Sequence, residues 1–260
     1  MSEWNKMLKF TAKLAVEAGE KLLKEYRDFD RNQIKLKSEF EMVTQSDADS
    51  EKLILHGIIK EYPQHGILSE ETGGQHTDAD YLWIVDPVDG TTNFSMHNPL
   101  WSISIALAFE GVIKMGVIYA PALGEMFTAV EGEPAELNGK KIHVSEFDRQ
   151  PLIHLSGPGN QPKDIRRYLK YFNQQKIQSF ECRQLGSAAL ELAYVACGRA
   201  DSIVIPGAKP WDVAAGDLLV RMAGGKVTDF KSGPWDIAKP DILASNGKTH
   251  LDLLKITREL

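Results

Sequence analysis

Apolar positions in the first thirty residues recur at helical spacing. Trp4, Met7, Leu8, Thr11, Leu14, Ala15, Ala18, Leu22 and Tyr26 fall on one face, which predicts a long amphipathic helix. A second helix is expected from near Ser46, with Leu53, Ile54, Ile58 and Ile59 inward and Pro63 just past its end. The period then changes. Ile67-Leu68 and the run from Tyr81 to Val85 are short, apolar and bounded by Gly and Pro, as buried strands are. Three β-rich runs follow at 102–109, 112–119 and 126–130. Turns at Glu110-Gly111 and from Pro121 to Gly124 separate them, which predicts a meander. Beyond about residue 150 helices are expected at 162–172, 187–197 and 211–223, with strands at 202–205, 227–228 and 242–244 and a last helix at the C-terminus. A meander followed by alternation predicts an α/β chain in which sheet layers pack with helices. No low-complexity linker or internal repeat divides it. The expectation is one cooperative unit over 1–260, built of an N-terminal subdomain (1–150) and a C-terminal α/β subdomain (151–260).

Composition narrows the function classes. The 260 residues are 43% hydrophobic and 25% charged, ordinary for a globular protein with a sizeable core. Thirty basic and thirty-six acidic residues leave a formal net charge of −6, which argues against a sequence-blind nucleic-acid binder. A phosphorylated small molecule remains open, because a divalent cation can supply positive charge locally. The apolar run from Met115 to Leu123, broken by Gly116 and Pro121, falls far short of the ~20 residues that span a bilayer. The N-terminus reads as a helix rather than a signal peptide, so a cytoplasmic protein with no membrane partner is expected. Cys182 and Cys197 make no CxxC pair and read as free thiols.

The acidic excess is concentrated in places where chemistry is possible. In the segment from Trp83 to Asn93 an apolar strand meets Asp86, turns through Pro87-Val88-Asp89-Gly90, and enters Thr91-Thr92-Asn93, a helix start. Asp86, Asp89 and the Val88 carbonyl offer hard oxygen donors that suit Mg²⁺. The N–H groups around Gly90, Thr91 and Thr92 suit a phosphate. Alone, Pro-Val-Asp-Gly is an ordinary surface turn. Three further acidic segments accompany it: Glu70-Glu71 after a short strand, Asp47 at the start of the second helix, and Asp212 in the first turn of a helix of small residues. Each by itself reads as a solvated acid or as a complement to a helix dipole.

Together these segments resemble the inositol monophosphatase family of metal-dependent, lithium-sensitive phosphomonoesterases. The motifs keep the family's order along nearly the whole chain: Glu70-Glu71, then Asp86 through Asn93, then Gly186-Ser187-Ala188-Ala189, then Trp211 through Gly216. The resemblance implies a layered αβαβα sandwich, a homodimer, and two to three Mg²⁺ ions. Glu70, Asp86 and the Val88 carbonyl would hold the first ion, and Asp86, Asp89 and Asp212 the second. Glu70 would help place a third. Asp47 with Thr91 would orient the attacking water, so that Asp47, Thr91 and Glu70 count as catalytic, and Glu71 would be a supporting acid. Gly90, Thr91, Thr92, Ala188, Lys37, Ile205 and Lys209 would line the phosphate and substrate sites. The implied reaction is direct attack of metal-activated water on a small soluble phosphomonoester such as inositol monophosphate, with no covalent intermediate.

Two departures bear on the substrate. Many inositol-specific members carry a Glu six residues before the motif Trp, where this chain has Ile205, which cannot accept hydrogen bonds from ring hydroxyls. The loop from Lys37 to Thr44 is about one residue shorter than in animal members. Lys209 suits a second phosphate or a ring substituent, and equally a solvated surface position. His97, just after the motif, reads as structural. Fructose-1,6-bisphosphatase, histidinol phosphatase and NADP or nucleotide phosphatase activities therefore stay open. So does a regulatory role, since some bacterial members associate with RNA and the transcription machinery.

Overall fold

A computed structural model describes residues 2–30, 35–36, 42–43, 45–149, 152–159, 161–177 and 181–260. Helix α1 (Glu3–Asp28) begins at Ser2, whose side chain accepts from the Asn5 N–H, and buries Met7, Leu14, Ala18 and Leu22 as the spacing predicts. The two-residue strands β1 (Lys35–Leu36) and β2 (Met42–Val43) pair with each other. Helix α2 (Gln45–Glu61) buries Ile54 and Ile58, but Ile59 is 47% exposed and Leu55 takes its place in the core. Ile54, Leu55 and Ile58 share one helix face, and Ile59 lies off it.

The larger sheet has eight strands. They are β3 (Gly66–Ser69), β4 (Gly73–Gln75), β5 (Tyr81–Asp89), β6 (Ser102–Phe109), β7 (Val112–Ala120), β8 (Glu125–Val130), β9 (Glu136–Leu137) and β10 (Lys140–Lys141). Their order is β10-β9-β8-β7-β6-β5-β3-β4, antiparallel throughout except for the β3–β5 pair. The expected meander is β6–β7–β8. Strand β5 runs four residues beyond the apolar run, through Pro87 to Asp89, with an irregularity in its pairing to β6 between Asp86 and Asp89. A proline is tolerated there because a bulge leaves a ladder position without a required donor. The short helix α3 (Thr91–Ser95) follows at once.

The second sheet has the order β12-β11-β13-β15-β14, from β11 (Ile153–Ser156), β12 (Glu181–Arg183), β13 (Ser202–Pro206), β14 (Lys226–Thr228) and β15 (Asp241–Ser245). Helices α5 (Ala188–Ala196) and α6 (Pro210–Met222) lie between the sheets, touching β6 and β7 on one side and β13 to β15 on the other. Helices α4 (Pro162–Ile177) and α7 (His250–Thr257) cover the outer face of the second sheet, while α1 and α2 cover that of the first. The result is the αβαβα layering: one core cluster lies under α1 and α2, one surrounds α5 and α6 between the two sheets, and one lies under α4 and α7. The small residues of α6 follow from its place in the middle: a Cβ on Gly216 would sit 2.4 Å from the Leu192 Cβ of α5. Both cysteines are free thiols, Cys182 buried and Cys197 half-buried.

Candidate active site

The acidic segments meet where the two sheets open. A pocket of about 470 Å³ is lined by Glu70, Asp86, Asp89 and Asp212, with Gly90 to Asn93 on one side and Ile205 to Lys209 on the other. The four acids arrive on three pieces of the fold. Glu70 directly follows β3, and its N–H donates to the Val85 carbonyl at 3.2 Å. Asp86 and Asp89 flank the β5 irregularity, and the Asp86 Oδ1 accepts from the Val88 N–H at 3.0 Å. Asp212 stands in the first turn of α6, accepting from the Lys209 N–H at 3.2 Å.

Gly90 makes the turn from β5 into α3. Its φ of +92° is a region that side-chain-bearing residues avoid, and an added Cβ would lie 3.0 Å from the Gly186 carbonyl oxygen. The Thr91 hydroxyl stands 2.9 Å from Asp47 Oδ1 and 3.1 Å from the Val88 carbonyl, so α2 and the β5–α3 turn meet at this side chain. Thr92 lines the pocket beside it. Asn93 ties the turn to its neighbours by donating to the Leu100 and Leu185 carbonyls at 2.6 and 2.7 Å.

Several partners were not legible as site residues in the sequence. Asp89 sits against the N-terminus of α5, accepting from the Ala188 and Ala189 N–H groups at 3.2 and 2.9 Å and from the Ser187 hydroxyl. Ala188 thus lines the pocket while its N–H serves Asp89. Glu191, buried one turn into α5, accepts from the Leu185 and Gly186 N–H groups at 2.5 and 3.2 Å and holds the preceding turn. Behind the opposite wall, Arg167 grips Asp241 with two hydrogen bonds of 2.8 and 2.5 Å, and Asp241 accepts from the Gly207 N–H at 3.2 Å. For Asp89 and Arg167 the partners are distant in sequence, 98 to 100 and 74 residues away. The one sequence signal was the Gly186-Ser187-Ala188-Ala189 motif.

The other residues singled out in the sequence sit as follows. Ile205 is buried in β13 opposite Ile242 and contributes to the wall. Lys209 is half-buried at the start of α6 and lines the pocket. Glu71 is half-buried, with its N–H donating to Glu51 at 3.1 Å. His97 contacts the Phe29 carbonyl at 3.2 Å and packs against Tyr26, at the end of α1. Lys37 lies outside the described residues.

Burial and mutual repulsion both act on the crowded carboxyls. Burial, then repulsion from Glu70, Asp89 and Asp212, pushes the Asp86 carboxyl well above its usual range. Burial and the nearby Asp89 and Glu70 do the same to Asp212, against the pull of the Lys209 N–H and charge. Asp89 is pushed up to about 6 by burial, which the donors from Ser187, Ala189 and Ala188 oppose. Burial also pushes Glu191 up to about 8. Among the described residues no three His, Cys, Asp or Glu side chains are already gathered around one point as for a bound ion. The donor chemistry nevertheless fits Mg²⁺: hard carboxylate oxygens, a Val88 carbonyl with a spare lone pair, and mutual repulsion that a divalent cation relieves.

A sequence profile of the inositol monophosphatase family matches residues 3–260. The chain belongs to this family. Among its relatives, a Pasteurella multocida protein named Nus factor SuhB is 41% identical over 232 residues, 88% of this chain and 87% of that one. Among solved inositol monophosphatase folds, the extragenic suppressor protein suhB of Bartonella henselae superposes with a TM-score of 0.90 at 35% identity, covering 98% of this chain and 99% of that one. The inositol monophosphatase of Anabaena (Nostoc) gives a TM-score of 0.88 at 34% identity, over 100% and 98% of the two chains. Membership of the inositol monophosphatase family supports a phosphatase.

Proposed function

We propose that this protein is a Mg²⁺-dependent phosphomonoesterase acting on a small soluble metabolite. The observation that carries the reading is the convergence of Glu70, Asp86, Asp89 and Asp212, from three segments, on the pocket that the start of α3 also lines. When bound, Mg²⁺ supplies the positive charge that lets a phosphate approach these carboxylates, and it makes water a better nucleophile. The chain's own residues position the reaction. Asp47 accepts from the Thr91 hydroxyl, leaving the lone pairs of Thr91 Oγ1 to take a hydrogen bond from the attacking water and aim it. The turn at Gly90 to Thr92 brings backbone N–H groups to the phosphate oxygens. Glu70, Asp86, Asp89, Asp212 and the Val88 carbonyl would hold two to three ions, with Glu71 supporting Glu70. Lys37 would reach in from its loop.

The far wall bears on the substrate. Ile205 offers no acceptor for a polyol, whereas Lys209 supplies a cation for a second anionic group. A bisphosphate or a nucleotide phosphate therefore stands beside inositol monophosphate as a substrate class. A homodimer, lithium inhibition and a cytoplasmic location belong to the same reading. Among the described residues no helix is long and apolar enough to cross a membrane.

The test is phosphate release from a panel of monoesters with Mg²⁺, with and without lithium, for wild type and Asp89→Asn. Loss of activity in the variant is expected, and an equally fast variant would sink the metal assignment. A preference of about tenfold in kcat/KM, or ~1.4 kcal/mol of transition-state binding, would identify the substrate class. The relatives named Nus factor SuhB favour a second, added role in transcription. A pull-down with RNA polymerase and with RNA tests it, and capture of neither removes it.

A further inference from the structure

Helix α2 turns three polar side chains toward two acid-bearing segments, the β5–α3 turn and the turn after β3. Asp47, Ser50 and Glu51 are related as i, i+3 and i+4 and share one face. Asp47 accepts from Thr91, and the Ser50 hydroxyl donates to the Pro87 carbonyl at 3.2 Å, within the turn that carries Asp86 and Asp89. Glu51 serves the second segment. It is 3% exposed, and its Oε1 accepts from the Ser69 hydroxyl and from the Glu71 and Thr72 N–H groups, both at 3.1 Å. A carboxylate taken out of water is tolerated only when such donors satisfy it. These three donors bracket Glu70, whose own N–H is tied to the Val85 carbonyl. The backbone on both sides of Glu70 is therefore fixed, by β5 on one side and by Glu51 on the other.

We infer that Glu51 is a positioning residue for Glu70, holding the turn after β3 so that the Glu70 carboxylate faces Asp86 across the pocket. Glu51 itself does not line that pocket. The inference rests on the proposed role of Glu70 in cation binding. It places Glu51 behind the ligand, where substitutions typically cost about 10–100-fold in metal affinity.

The experiment titrates Mn²⁺, followed by electron paramagnetic resonance, into wild type, Glu51→Leu, Glu51→Gln, Ser69→Ala and Asp89→Asn. Leucine fills the space and removes the acceptor, whereas glutamine keeps an oxygen for the Oε1 position. The Mn²⁺ dissociation constant should rise about tenfold in Glu51→Leu and by less than about threefold in Glu51→Gln. Hydrogen exchange at the Glu71 and Thr72 amides should quicken in Glu51→Leu while the α1 amides stay protected. Ser69→Ala, which loses one donor, should weaken binding by about two- to fivefold, and it decides the matter if Glu51→Leu does not fold. Unchanged Mn²⁺ affinity in folded Glu51→Leu overturns the inference, as does an equal loss in the leucine and glutamine variants. If Glu51→Leu does not fold, unchanged affinity in Ser69→Ala overturns it. Wild type that binds no Mn²⁺, or Asp89→Asn that binds it as wild type does, overturns the cation reading and the inference with it.

Discussion

Replacing Ser187 by alanine removes two interactions made by one hydroxyl. Ser187 is the N-cap of α5, where its oxygen accepts from the Leu190 N–H at 3.3 Å, and its proton goes to Asp89 Oδ2. Loss of an N-cap costs about 1 kcal/mol. A hydrogen bond to a charged group contributes about 1.5–3 kcal/mol. The two share one atom and do not add in full, so the expected loss in metal-free protein is about 2–3 kcal/mol. For a chain of this size that lowers Tm by roughly 4–12 °C. The Ser187 donor is also the strongest influence holding the Asp89 carboxyl down against burial, so the variant should hold Mg²⁺ more weakly. The measurements are urea unfolding in EDTA and the Mg²⁺ half-saturation of phosphate release, with Ser187→Thr as the variant that keeps the hydroxyl. Ser187→Ala matching wild type to within about 0.5 kcal/mol would refute the claim that this hydroxyl joins α5 to the acid cluster.

Two more predictions concern charge in the pocket. Asp89, raised to about 6 in the folded protein, contributes stability that is complete below its ordinary value near 4 and is lost as pH climbs through about 6, about 3 kcal/mol in all. In EDTA the decline of the urea midpoint from about pH 4 to 7 should therefore be shallower in Asp89→Asn, and an identical slope would count against the burial argument. Ile205→Glu places an acceptor in the pocket wall and should shift kcat/KM toward polyol phosphates by about tenfold. Because Ile205 is 4% exposed, the same change should lower Tm, and a variant with altered stability but unaltered selectivity would show that this wall does not contact the leaving group.

The pattern along the chain was enough to find α1, which buries one regular face, and the meander of β6 to β8 and the elements from α5 to the C-terminus, which are apolar runs bounded by turn signals. The short strands β4, β9, β10, β11 and β12 escaped it. Two to four residues carry no measurable period, and these strands are held by their neighbours in the sheets. The length of β5 was misread because Pro87 signals a turn, and only the pairing to β6 shows that the strand continues past it as an irregularity.

Local grammar put Asp86, Asp89, Glu70, Asp47 and Asp212 at strand ends and helix starts, but each alone read as an ordinary turn or dipole acid, and only the family resemblance of the motifs joined them. What holds them could not be read that way. Ser187 is 98 residues from Asp89, Glu51 is 20 from Glu71, and Arg167 is 74 from Asp241. By itself the sequence determined which side chains are available for chemistry, since that depends on residue type and local backbone. The tertiary structure alone decided which of them share a pocket, how burial and repulsion change their charge, and which buried donors hold them still. Those quantities depend on distance and on exclusion of water, and neither follows from position along the chain.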